Sequence, residues 1–526
     1  MDSFLIIIPA IKKNAVIPDQ LIKNLNGISL IQRAIDVSKK LSQNVLIITD
    51  SQEISLIAER NHVDFYYDSK LRVDTQKIRE DLKNIILKKG SSFEYFLLFR
   101  ANTPLVDHII LKNAYDYFLA ECQNRILIST KTTVKNIIIS QNGRPLKVES
   151  SKITEELKAF QIFSKNLLTQ DKAEYVSYNI PHEKAVEIEN YQDWWVCEKL
   201  LRRKLIVFNV VASSQIGMGH IYRSLTIAHE INDHEIIFTC NEKYNMAVEK
   251  IASTDYKVIS YKNQEEILDL KPDIVINDVL NTSGSFIQKL RENNIKVINF
   301  EDLGDGSAFT NYTINELYES PILDGPNYLW GSEYFFLRDE FNEATPNKFN
   351  EKVERILITF GGTDQNNLTL LTLKSIYPII SEKNIQVNIV CGTGYAFKKE
   401  LEQYLENIPY KNISIVYGTE IISKIMENIQ IAICSNGRTV YELADMNIPS
   451  IVISHHLREN GHSFSNLEKG FINLGVINGK TEKDIHRSFE KLVNDRDYRY
   501  LLFLNISKYS FRENKNKIIK LINSLL

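Results

Sequence analysis

Residues 204–231 read KLIVFNVVASSQIGMGHIYRSLTIAHEI. An apolar run ends at Ala212, a turn holding Gly217 and Gly219 follows, and a helical pattern begins near His220. This reads as a strand, a glycine-rich turn and a helix. In a parallel α/β sheet, ligands bind at the carboxyl end of the strands. Glycine tolerates positive φ and lets backbone N–H groups approach an anion. The helix N-terminus that follows suits a diphosphate.

The device recurs twice. ITFGGTDQNNL (358–368) ends a strand with Gly361, Gly362 and Thr363, and CSNGRTVYELADMNIPSIVI (434–453) ends another with Asn436 and Gly437. Glu442 is placed about two helical turns after Gly437, facing the same end of the sheet. Three such turns predict a cleft between two lobes that grips a nucleoside diphosphate. His220, whose ordinary pKa lies near neutrality, is the candidate general base or water-orienting residue; the alternative is a His that pins the turn. In SHHLRENGHSFSN (454–466), His455, His456 and His462 lack a carboxylate or Cys at a recognisable ligand spacing. They read, with Asn460, as a polar loop on the substrate side. Asp278 in VINDVL and Asp302 in NFEDLGDG sit at strand ends, as substrate contacts or as caps.

Outward from these turns, short β-branched runs alternate with amphipathic stretches almost throughout, from FLIIIPAI (4–11) and NVLIITD (44–50) to SIVISHH (450–456). That pattern predicts βαβ units with parallel sheets. The 526 residues are too many for one core. LRRK (201–204) and the polar NEATPNKFNEKV (342–353) mark boundaries, giving units 1–203, 204–345 and 346–526. A net charge of -3 excludes a strong general pull towards nucleic acid or anionic membrane. The five scattered cysteines read as small buried hydrophobes rather than a disulfide framework. The start MDSFLIIIPAIKK lacks the basic opening of a signal peptide, and no stretch approaches 18 apolar residues. A cytoplasmic protein without a membrane span is expected.

SSQIGMGHIYRSLTIA, YLWGSEYFFLRDEF (328–341) and ITFGGTDQNNLT, in that order, resemble the UDP-2,4-diacetamido-2,4,6-trideoxy-β-L-altropyranose hydrolases of the pseudaminic acid pathway. These are akin to spore-coat polysaccharide proteins. The resemblance covers nearly all of 204–526. It implies a GT-B fold, similar to the inverting N-acetylglucosaminyltransferase that makes lipid II. It also implies a UDP-sugar partner, attack of water on the anomeric carbon, no cofactor, His220 as catalytic residue and Glu442 on the uridine side. Two positions depart from the family: a Tyr falls at Leu280 and an Asn at Tyr441.

LIIIPA (5–10), LNGISLIQRAI (25–35), LIITDSQEISLIAERNHVDF (46–65), LLFRANTPLVD (97–107) and VEIENYQDWWVCEKLL (186–201) resemble the acylneuraminate cytidylyltransferases, the CMP-sialic acid synthetase family. The family's basic, glycine-rich CTP loop is here PAIKKNAVIPDQL (9–21), with Ile11, Lys12, Lys13 and Gln20 in place of its Arg, two Gly and Lys. A triphosphate needs close backbone approach and fixed charge. The unit therefore reads as degenerate, retained for folding, dimerisation or substrate recognition. If active, it takes CTP and a nonulosonic acid, with Glu187 and Glu189 holding Mg²⁺.

The expected architecture is α/β: a Rossmann-like nucleotidyltransferase domain followed by a two-lobed GT-B unit of two facing Rossmann-like domains. The expected function is a UDP-sugar hydrolase of nonulosonic acid biosynthesis, with a homo-oligomer among its expected partners. The alternatives are a glycosyltransferase with a non-water acceptor, a bifunctional enzyme that also makes a CMP-sugar, and a non-catalytic sugar-nucleotide scaffold.

Overall fold

The computed structural model describes residues 4–12, 17–73, 77–141, 144–168, 170, 173–213, 217–419 and 421–526, without the side chains of 135–151. The chain divides into two compact units, Met1–Arg203 and Lys204–Leu526. No helix among the described residues is long and apolar enough to cross a membrane.

Apart from a two-residue hairpin at Asn24–Leu25 and Ile28–Ser29, the strands of the first unit are β1 (Phe4–Ala10), β2 (Val45–Thr49), β3 (Asp64–Tyr67), β4 (Tyr95–Phe99), β5 (Ile126–Gln141), β6 (Arg144–Ser164) and β7 (Tyr175–Asn179). They form one sheet in the order β3-β2-β1-β4-β6-β5-β7. The first four are mutually parallel, as the buried apolar runs predict. The expectation of a parallel sheet fails at β6, which runs antiparallel to both β4 and β5. The β-branched run RILISTKTTVKNIII (125–139) makes β5 long, and β5 pairs antiparallel with the β6 that follows it.

The second unit has two sheets, both wholly parallel. The first holds β8 (Leu205–Val210), β9 (Glu235–Asn241), β10 (Val258–Tyr261), β11 (Ile274–Asp278), β12 (Lys296–Phe300), β13 (Tyr312–Asn315) and β14 (Tyr328–Trp330), in the order β10-β9-β8-β11-β12-β13-β14. The other holds β15 (Arg355–Thr359), β16 (Gln386–Cys391), β17 (Ile413–Tyr417), β18 (Ile431–Ser435), β19 (Ser450–Ser454) and β20 (Phe471–Val476), in the order β17-β16-β15-β18-β19-β20. Each is a doubly wound, Rossmann-like lobe whose order reverses beside its first strand. Together they make the two-lobed GT-B arrangement.

The lobes exchange more chain than the boundary at 345 implies. Leu317, Phe335, Leu337 and Phe341 belong to the core of the second lobe, where they pack with Tyr441, Phe464 and Phe511. Tyr441 stacks on Phe335 at 4.0 Å and on Phe464 at 4.5 Å. The terminal helix crosses back: Ile518 and Ile522 complete the apolar core of the first lobe. Apolar faces seek the nearest uncovered partner whatever their chain position.

Inside the first lobe, Asn209, Asn277 and Asn299 lie side by side on three neighbouring strands. Tyr261 Oη donates to Asn209, Asn209 to Asn277 and Asn277 to Asn299, each at 2.9 Å; Asn299 donates to Asp302 at 2.6 Å. This chain satisfies polar groups deep in the sheet and fixes the register of the strand ends that carry the site.

Candidate active site

Helix α1 (Gly219–Glu230) starts at the first glycine-rich turn. Gly217 has φ +86°, a backbone that glycine adopts without strain, and its N–H donates to Ser213 O at 2.8 Å. His220 is therefore held at the start of α1 and is only 6% exposed. Its Nδ1 is hydrogen-bonded to Asp278 Oδ1, at the carboxyl end of β11. Burial raises the Asp278 carboxyl, but Arg223 and then His220 outweigh it and hold the group well below the usual carboxylate range. An ionised carboxylate only accepts, so Nδ1 carries the hydrogen, and in the neutral form of the ring the lone pair is on Nε2. Arg223 Nη2 also lies 3.2 Å from Nδ1, but its bond to Asp278 Oδ1 is much shorter.

Arg223, one turn along α1, is completely buried. Its Nε donates to Asp278 Oδ2 at 2.7 Å, Nη2 to Asp278 Oδ1 and Nη1 to Glu316 Oε1. Nη2 is also 3.5 Å from Glu301 Oε2, and the guanidinium lies over the Phe300 ring at 5.0 Å. Burial lowers the Arg223 pKa, but these carboxylates raise it well above its ordinary value.

The second lobe meets this network directly. Arg438 donates to Glu316 Oε1 at 2.6 Å and to Phe336 O at 2.8 Å. A side chain at Gly362 would stand 3.4 Å from Gly217 Cα, and one at Gly219 would stand 3.5 Å from Arg438 Cδ. The Gly217–Gly219, Gly361–Thr363 and Asn436–Arg438 turns therefore converge. The first two face each other with room for roughly a methyl group between them.

Other expected site residues have different positions. Asp302 turns its carboxylate back into its own turn, as the capping alternative expects, accepting from Thr282 N and Oγ1, Gly304 N and Asn299 Nδ2. Asp278 faces His220 and Arg223 as a positioning group. Glu442 stands in the first turn of α2 (Thr439–Asp445), about one and a half turns after Gly437 rather than two, and it accepts from Arg338 Nε at 3.0 Å. Asn460 is exposed at the end of a short helix.

The three histidines diverge. His455 faces Asp364 at 3.9 Å, His456 accepts from Glu459 N, and His462 Nδ1 is 2.7 Å from Asn436 O. Leu280 occupies the left-handed region at φ +67°.

Arg223, Glu301, Glu316, Arg438 and Glu459 were missed. Arg223 was the one with a visible signal, three residues after His220 on the same helix face.

Glu459 lies beside Gly437, 3.8 Å from where a Cβ would stand, and accepts from His455 N at 2.5 Å. Burial pushes its carboxyl up from 4.5 to about 7. A raised carboxyl pKa in the fold contributes stability below the unfolded value, and that contribution is lost as pH rises to the folded one. Glu459→Gln is accordingly expected to flatten the fall in Tm between about pH 4.5 and 7, checked by thermal melts across that range.

In the first unit, Glu187 Oε1 accepts from Arg100 Nη1 at 2.8 Å and from Asn102 Nδ2 at 3.0 Å. Glu189 is exposed, and its backbone N–H donates to Asp193. Glu187 thus already balances its charge against Arg100 through one carboxylate oxygen. Lys12 is paired with Glu53 and, at 3.3 Å, with Asp19, while Gln20 Nε2 donates to Ile188 O at 2.9 Å. Lys13 lies outside the described residues.

No protein-family model matches the chain. It is 30% identical over 262 residues to an uncharacterized protein of Methanocaldococcus jannaschii, covering 46% of this chain and 54% of that one. It is 26% identical over 251 residues to a UDP-2,4-diacetamido-2,4,6-trideoxy-beta-L-altropyranose hydrolase of Campylobacter jejuni, covering 45% of this chain and 86% of that one. It is 26% identical over 231 residues to a Helicobacter pylori protein named as pseudaminic acid cytidylyltransferase and the same hydrolase, covering 42% of this chain and 40% of that one. The chain thus spans about half the length of the archaeal relative. Among solved structures, Acinetobacter baumannii MurG aligns with 61% of this chain and 99% of its own at 12% identity and TM-score 0.45.

Proposed function

We propose that the C-terminal unit, 204–526, hydrolyses a UDP-activated amino sugar of nonulosonic acid biosynthesis, and that it needs no cofactor. The observation that carries this reading is the His220–Asp278 pair, at the start of the helix that opens from one of the converging glycine-rich turns. The similarity to the Campylobacter hydrolase supports it.

In this reading His220 Nε2 takes a proton from water as the water oxygen bonds to the anomeric carbon. The bond from that carbon to the phosphate oxygen breaks, and its electron pair leaves with UDP. Asp278 stabilises the imidazolium. The Gly361–Thr363 and Asn436–Gly437 turns take the diphosphate, with Arg438 as nearby cation, and Glu442 takes the ribose. The first unit is a cytidylyltransferase fold retained for folding, dimerisation or substrate recognition, since Lys12 and Glu187 are paired internally. The setting is cytoplasmic.

Free UDP and free sugar are expected in equal amounts from a panel of UDP-amino sugars with no acceptor added. Release that begins only when an acceptor is supplied would make the unit a glycosyltransferase instead.

A further inference from the structure

Arg338 stands in YLWGSEYFFLRDEF, between Leu337 and the short turn Asp339–Asn342. Leu337 and Phe341 pack into the core of the second lobe, so the backbone on both sides of Arg338 is anchored. Its Nε donates to Glu442 Oε1 at 3.0 Å, and Nη1 lies 2.9 Å from Glu340 Oε1. Glu340 is held in turn, since its Oε2 accepts from Ser423 N at 3.0 Å. The guanidinium lies 5.3 Å from the centre of the Tyr222 ring and 5.6 Å from that of Phe341. Tyr222 belongs to α1 and follows His220 by two residues.

A guanidinium is a rigid, planar fork. Two carboxylates and two aromatic rings leave it one orientation, and that orientation fixes Glu442. A free glutamate side chain would lose on the order of 1–2 kcal/mol of rotamer freedom on being ordered by a ligand. Arg338 has already ordered it. An ionised carboxylate has about four lone-pair sites and no donor. Arg338 Nε takes one of those sites, and the Glu442 side chain keeps 10% of its surface exposed. Such a group recognises hydroxyl donors, and a ribose offers two on neighbouring carbons.

We propose that Arg338 is a positioning residue that makes the nucleotide subsite selective for ribose, by holding the Glu442 carboxylate for the 2′- and 3′-hydroxyls. The inference rests on reading 204–526 as a UDP-sugar unit with Glu442 at the ribose. Arg338 acts through Glu442 and not on the diphosphate.

Calorimetric titration of the full chain with UDP and with 2′,3′-dideoxyuridine diphosphate reads the selectivity as a ratio of affinities. The native protein is expected to bind UDP at least roughly tenfold more tightly than the dideoxy analogue. Arg338→Met is expected to bring the ratio below about threefold, and Arg338→Lys, which keeps the charge without the fork, to a value in between. Arg338→Lys carries the test if Arg338→Met does not fold. A purely structural role would weaken both ligands alike and leave the ratio unchanged. A native protein without the preference, or folded variants that keep the native ratio, overturns the proposal. A native protein that binds neither ligand overturns both this proposal and the UDP-sugar reading. The expected ratios without UDP release from any UDP-sugar keep the positioning role and remove the proposed reaction.

Discussion

Asp278→Asn is expected to lower kcat for UDP release by roughly 10²- to 10⁴-fold. An amide in place of the Asp278 carboxylate turns an N–H towards His220 Nδ1. That favours the other tautomer, with the hydrogen on Nε2, where the base is needed. The charge that steadies the imidazolium is lost with it. Steady-state kinetics with a circular-dichroism check of folding reads the effect. Because the two residues act as one unit, Asp278→Asn combined with His220→Ala is expected to be no slower than the more damaged single variant. Additive losses would mean that Asp278 acts through Arg223 rather than through His220.

Arg223→Met is expected to destabilise the C-terminal unit by about 3–5 kcal/mol, since removing one partner of a buried ion network leaves the others uncompensated. The side chains of Asp278 and Glu316 are both 0% exposed, and Arg223 bridges them. Arg223→Lys is expected to recover only part of the loss, because a single ammonium cannot reproduce the fork that spans Asp278 and Glu316. Chemical denaturation followed by tryptophan fluorescence measures both. A loss below about 1 kcal/mol for Arg223→Met would mean that the carboxylates relax to neutrality or find water.

The parts of the site that depend on local chain chemistry were readable from sequence. A β-branched run, a turn with Gly217 and Gly219, and a helix opening at His220 specify their own geometry. The same holds for the turns at Gly361 and Asn436. The partners of His220 were not readable, because they come from strands far along the chain. Asp278 is 58 residues away, and Arg223's other partner, Glu316, is 93 residues from it.

Glu301 and Asp302 illustrate the limit most sharply. They are adjacent carboxylates at one strand end, and the backbone sign at Glu301 decides which turns towards the second lobe. Asp302 turns back into the turn at Thr282 and Gly304, and Glu301 faces His462. Tyr441 reads as a loss of family chemistry in the sequence. In the fold it is the middle ring of an aromatic stack in the second lobe's core and donates to Glu316 O at 3.1 Å. Packing against Phe335, distant in sequence, rather than any local pattern, sets that residue.

The central claim is that His220 serves as the base for water. The measurement is UDP release from the amino-sugar panel without acceptor, comparing the native protein with His220→Ala. The account predicts release by the native protein and a loss of at least roughly a hundredfold in kcat for the variant, with UDP affinity preserved. Equal rates in the two proteins, or no release by the native protein from any member of the panel, would contradict it.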